Sequence, residues 1–148
     1  LSGFATLRYE AKQWSSGVTA TLHSYDDSFF KDGVDINPDF TWHLTKDWDL
    51  KAGLAYDTGA SGWYGNLEAA WSKPLGESSF ISTKFGTSFV EDYYDRSGWN
   101  DIYARLGYTY NFNKNVSVTP FVGTSVATKG GRDHADSLYA GVWFEVNF

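Results

Sequence analysis

The sequence predicts an all-β chain, folded as a closed, antiparallel up-and-down barrel of roughly 8–10 strands. Three observations predict it. Apolar and polar residues alternate through segments of about 8–12 residues, with almost no helical period. Turn-forming clusters punctuate those segments. Short and long connections take turns along the chain, which in an up-and-down sheet puts the tight turns at one end and the long loops at the other.

The segments follow in order. Leu1, Gly3, Ala5, Leu7, Tyr9 and Ala11 alternate with Ser2, Phe4, Thr6, Arg8, Glu10 and Lys12. Val18, Ala20 and Leu22 follow, then Phe40, Trp42 and Leu44 in a short segment from Asp39 to Thr45, then Leu50, Ala52, Leu54 and Tyr56. Trp63, Gly65, Leu67, Ala69 and Trp71 form a fifth, and Ile81, Thr83, Phe85, Thr87 and Phe89 a sixth. Ile102 to Phe112 and Val116 to Val122 precede the last, Leu138, Ala140, Val142, Phe144, Val146 and Phe148. "QWSSG", "TKDWD", "KPLGESS" and "NFNKN" are the short connections. "DDSFFKDGVDINP", "DTGASG", "VEDYYDRSGWN" and "ATKGGRDHAD" are mostly longer and rich in carboxylates. No linker interrupts the rhythm, so residues 1–148 read as one domain.

Composition narrows the function classes. The chain has no cysteine, which excludes disulfides, thiolate catalysis and Cys-type zinc sites. It also lacks methionine and starts at Leu1, as a processed or trimmed chain would. A net charge of −6 argues against general nucleic-acid binding. Aromatic residues make up 19 %, a content suited to lipid interfaces and to carbohydrate sites. Mean hydropathy is −0.40 and no apolar run is long enough for a transmembrane helix.

Alternation alone fits a soluble barrel or sandwich as well as a membrane barrel. Two features favour a transmembrane β-barrel. The polar face consists largely of Thr, Ser, Gly, Asn and Tyr with few, mixed charges, as a crowded polar interior requires, whereas a water-facing exterior would favour Lys and Glu. The aromatic residues also fall in two bands: Trp14, Trp48, Trp71, Tyr110, Phe112 and Phe148 at the short-turn end, and Tyr56, Trp63 and Trp99 at the long-loop end. Trp42 lies near mid-strand in this scheme and departs from it.

The ending "LYAGVWFEVNF" resembles the carboxy-terminal strand of bacterial outer-membrane β-barrels, which close on an amphipathic strand with a terminal Phe. The resemblance implies location in the outer membrane, short periplasmic turns, longer outer loops, and recognition of the strand by the barrel-assembly machinery. It implies no particular activity. Nine segments, with Phe148 at the periplasmic side, place Leu1 at the outer side, whereas single-chain bacterial barrels have even strand numbers. Either a strand precedes Leu1 or one segment does not span, so eight and ten strands are both open.

Candidate sites follow from the faces. Arg8, Glu10, Lys51, Glu68, Lys84, Arg105 and Glu145 lie on the polar face as lumen or constriction residues. Among them Glu68, Lys84, Arg105 and Glu145 form a salt-bridge ladder if their depths match. Such a ladder either fills a narrow barrel or selects solutes by charge. His23 and His43 flank the loop from Asp26 to Pro38, where with Asp39 they suggest a metal or acid–base pair or, more simply, a hydrogen-bond network. His23 and Ser24 point to opposite faces and no nucleophile motif is present, so the expectation is no enzyme, no cofactor and no bound metal. The outer-loop binding candidates are Asp26, Asp27, Asp92, Tyr93, Tyr94 and Trp99. Their carboxylates suit divalent cations shared with lipopolysaccharide phosphates, and their rings suit sugars or a partner protein; the spacing matches no EF-hand loop.

Three functions remain at this point: a porin-like passive channel for small hydrophilic solutes, a structural or surface-binding barrel acting through its outer loops, and a soluble lipocalin-like binder with the faces reversed.

Overall fold

The computed structural model describes residues 2–25, 31–128 and 136–147. It contains nine strands: β1 (Ser2–Glu10), β2 (Trp14–His23), β3 (Gly33–His43), β4 (Trp48–Asp57), β5 (Gly62–Pro74), β6 (Ser79–Tyr93), β7 (Arg96–Asn113), β8 (Val116–Ala127) and β9 (Ser137–Val146). They form one sheet in chain order, each antiparallel to the next. Among the described residues no helix is long and apolar enough to cross a membrane, which leaves strands as a route untouched.

The sheet is not closed. Among the described residues β1 and β9 each keep one unpaired edge, so the up-and-down order is present without the expected ring. The reason is geometric. Nine antiparallel strands leave β1 and β9 running the same way, so the antiparallel ladder that joins every other neighbour is not open to them.

Burial divides the two faces in an unusual sense. Val90, 2 % exposed, is the one buried hydrophobic residue among those described. The buried polar residues are Ser15, Thr41, Glu68, Ser88 and Thr109. Leu7, Val18, Leu54, Leu67, Leu106, Val122 and Leu138 all lie open on the other face. A single sheet can shelter one of its own faces only by curling around it, and here the sheltered face is the polar one.

Three sequence expectations change. β3 begins at Gly33, well before Asp39, because Gly33 to Pro38 pairs along β2. Trp42 consequently stands at the short-turn end, opposite Trp14 and Leu50, and joins the aromatic band there. Second, two of the connections expected to be longer are tight. Only Tyr94 and Asp95 separate β6 from β7, both with positive φ (49° and 61°), as a two-residue primed turn demands. Thr58 to Ser61 joins β4 to β5, with Asp57 Oδ1 accepting from the amides of Gly59 (2.7 Å) and Ala60 (3.1 Å). Asp95→Gly should relieve the left-handed conformation and raise stability by about 0.5–1 kcal/mol, read as a higher urea midpoint; an unchanged midpoint would show that the turn is unstrained.

Third, Pro38, expected in a connection, sits inside β3, as Pro120 sits inside β8 where the segment from Val116 to Val122 placed it. Pro38 pairs with Val18, yet the β3–β4 register skips from Ile36 to Asp39. Pro120 pairs with Val142, yet the β7–β8 register skips from Gly107–Phe121 to Tyr110–Val118. Each proline lacks the N–H that one of its two neighbours needs, so one ladder breaks and the other stays whole. Across the second gap Thr109 and Thr119 hydroxyls bond at 2.8 Å.

Candidate functional site on the polar face

Strand alternation puts one charged or hydrogen-bonding side chain at every second position, and register then decides which of them meet. Lys51 of β4 stands opposite Glu68 of β5, and Lys84 of β6 stands opposite Arg105 of β7. Lys84 Nζ lies 2.9 Å from Glu68 Oε2, and the Tyr103 hydroxyl donates to the same oxygen at 3.2 Å. Tyr103 reaches Glu68 across β6 because Gly86 has no side chain between them. The Arg105 guanidinium sits 5.0 Å from the centre of the Phe121 ring.

The expected ladder therefore forms in part. Glu68 and Lys84 join it, with Lys51 and Arg105 beside them. Glu145 lies elsewhere, opposite Ser117 and bonded to the Asn147 amide at 3.0 Å. Arg8 forms its own pair, its Nη2 lying 2.9 and 3.1 Å from the two carboxylate oxygens of Asp39, over Gly17 of the intervening strand. Glu10 stands opposite Ser15 at the short-turn end of β1.

The histidines are not neighbours. His23 pairs in register with Gly33, while His43 lies at the far end of β3 opposite Asp49, because β3 runs the full distance between them. Each has its own carboxylate: His23 Nε2 is 2.7 Å from Asp35 and His43 Nδ1 is 2.8 Å from Asp49. The proposed pairing around one loop is thereby overturned, and no group of three or more metal-ligating side chains occurs among the described residues.

The outer-loop candidates also separate. Asp26 and Asp27 lie outside the described residues. Asp92 takes a positive φ of 54°, its amide donating to Ser97 Oγ at 3.0 Å. Tyr93 packs edge-on to Tyr94 (5.1 Å) and near Tyr64 (6.3 Å), above the polar face. It lies at the hairpin tip beyond the Trp63 level, and burial, then the charge of Asp57 with which it hydrogen-bonds, pushes its hydroxyl up to about 12. Trp99 instead stands opposite Phe89 on the apolar face. These rings do not form one platform.

Sequence reading missed a polar node at Asp101. One of its carboxylate oxygens accepts from Ser88 and the other from Ser125 at 2.6 Å, tying three strands together. Asp101, Tyr103 and Arg105 alternate in sequence, so the signal was there, masked by starting that segment at Ile102. With Asp35 and Asp57, which stand opposite each other, Asp101 makes the long-loop end of the polar face acidic. Several clefts open at the short-turn end, and two of them reach the charged residues. One of ≈ 600 Å³ is lined by Arg105, Asn111, Phe121, Trp143 and Glu145 among others, and one of ≈ 250 Å³ by Lys51, Glu68, Lys84 and Arg105 among others.

No protein-family model, curated protein or solved structure matches this sequence.

Proposed function

We propose that the chain is an integral barrel of a bacterial outer membrane and acts as a porin-like passive channel for small hydrophilic solutes. The observation that supports this most directly is the inverted burial: large aliphatic and aromatic side chains cover the open face, while Ser, Thr and Glu fill the sheltered one. In water that arrangement exposes the surface the hydrophobic effect would bury; in lipid the same face is solvated by acyl chains. The two bands of rings then stand at the two interfaces. Tyr9, Trp14, Trp42, Trp48 and Trp71 mark the periplasmic one, and Tyr56 with Trp63, 4.9 Å apart, the outer one. Lipid offers no hydrogen bonds to a strand edge, so this reading requires the free edges of β1 and β9 to be covered in the bilayer.

The expected partners are outer-membrane lipid and lipopolysaccharide around the barrel and the barrel-assembly machinery during insertion. No catalytic role is proposed. A second reading, a filled structural barrel acting through its loops, draws support from Glu68, Lys84 and Tyr103 and from Arg8 with Asp39, which tie side chains across the polar face.

Single-channel recording in a planar bilayer tests the channel. Stable current steps that scale with salt concentration are expected. A silent bilayer with verified insertion would replace the channel by the filled barrel.

A further inference from the structure

We infer that the smaller polar cleft is a binding site for a small oxyanion, with Lys51 and Arg105 as its principal donors. The inference rests on the reading of the polar face as a water-filled interior, and it adds a ligand class to it.

The ≈ 250 Å³ cleft is lined by four cations, Lys46, Lys51, Lys84 and Arg105, and three carboxylates, Asp47, Asp49 and Glu68. Register places Lys51, Glu68, Lys84 and Arg105 on four successive strands, so backbone pairing holds them. Two of the three carboxylates are committed. Glu68, 8 % exposed, takes Lys84 and the Tyr103 hydroxyl, and Asp49 takes His43. Lys84 is committed with Glu68. Among the described residues neither Lys51 nor Arg105 forms an ion pair, and the Arg105 guanidinium lies over the face of Phe121. Asp47, on the turn between β3 and β4, also lines the cleft.

The donor types suit the ligand. A guanidinium offers paired N–H groups to two oxygens of one phosphate or carboxylate, and an ammonium adds a movable point charge. Ser72, Ser82 and Thr83 border the same space with neutral groups. At about 30 Å³ per water molecule, the cleft takes an oxyanion of a few atoms together with some of its hydration. The acidic end of the polar face does not cancel the site. Asp57 lies six residues along β4 from Lys51, about 20 Å at strand rise, and Asp101 four residues along β7 from Arg105, about 13 Å, both beyond one screening length at physiological salt.

The test is calorimetric titration of inorganic phosphate into the folded chain in detergent micelles, which does not depend on conduction. Phosphate should bind, and Lys51→Gln and Arg105→Gln should each weaken it by about tenfold or more. Lys12→Gln, in the turn between β1 and β2, should leave it unchanged. Two exposed cations are substituted separately so that a folding failure in one leaves the other to decide. No phosphate binding, or binding indifferent to both substitutions, would overturn the site. Current steps without phosphate binding would retain the channel and remove the site; phosphate binding with a silent bilayer would do the reverse.

Discussion

Arginine in place of Leu67 should prevent stable folding in lipid. Leu67 lies on the open face, opposite Ala52 and Thr87, four residues from Trp63 and four from Trp71 on the same strand and face. If those two rings mark the interfaces, Leu67 is at the midplane. A cation on the lipid side of a barrel costs about 2–4 kcal/mol there and falls to about 0–1 kcal/mol near the headgroups. Ala69→Arg, two residues closer to Trp71, should therefore cost less than Leu67→Arg. Urea titration of the chain folded into vesicles, followed by tryptophan fluorescence, reads both. Equal losses at the two positions would sink the membrane placement of this face, and so would a wild-type chain that folds in water without lipid or detergent.

Gly86→Ala should destabilise the fold by about 1–3 kcal/mol through overpacking. A Cβ at Gly86 would come within 2.5 Å of Tyr103 Cζ, 2.6 Å of its hydroxyl oxygen and 2.7 Å of the Leu67 carbonyl oxygen. The ring can turn away; the carbonyl belongs to the paired strand and cannot. Moving the ring also withdraws a hydrogen bond from Glu68, which is almost wholly buried. Because the two losses share one cause, combining Gly86→Ala with Tyr103→Ala should cost less than the sum of the single changes. Additive costs would place the damage in the backbone alone, and a neutral Gly86→Ala would remove the packing argument. Gly123 repeats the device, its missing Cβ leaving room for Tyr139 of β9.

The two results bear on different sides of one sheet. The first asks what solvates the apolar face; the second asks what fills the polar one. Together with the phosphate titration they separate wall, filling and ligand.

Much of this was legible in the residues themselves. Strict alternation from Leu50 to Tyr56, or from Leu138 to Val146, assigns each side chain to a face without knowledge of its neighbours, because the strand period is two. The order of nine strands followed for the same reason, with tight turns such as Lys114–Asn115 leaving each strand beside the next. Pro38 and the polar "GVDINP" stretch misled, since a proline inside a run argues for a break; β3 tolerates it by giving up hydrogen bonds on one side only. That one boundary set His43 at the end of β3 away from His23 and moved Trp42 from mid-strand to the short-turn end.

What alternation cannot supply is register and curvature. Whether Lys84 meets Glu68 or Asp39 depends on how far each strand slides along its neighbour, a quantity set by turns, bulges and proline gaps spread over the whole chain. The polar face, the run of apolar positions and the aromatic bands were determined by the sequence by itself. The pairing of Arg8 with Asp39, the node at Asp101, the separation of the two histidines and the open edges of β1 and β9 were decided only by the tertiary structure, because each joins residues that the chain brings together through pairing and not through proximity in sequence.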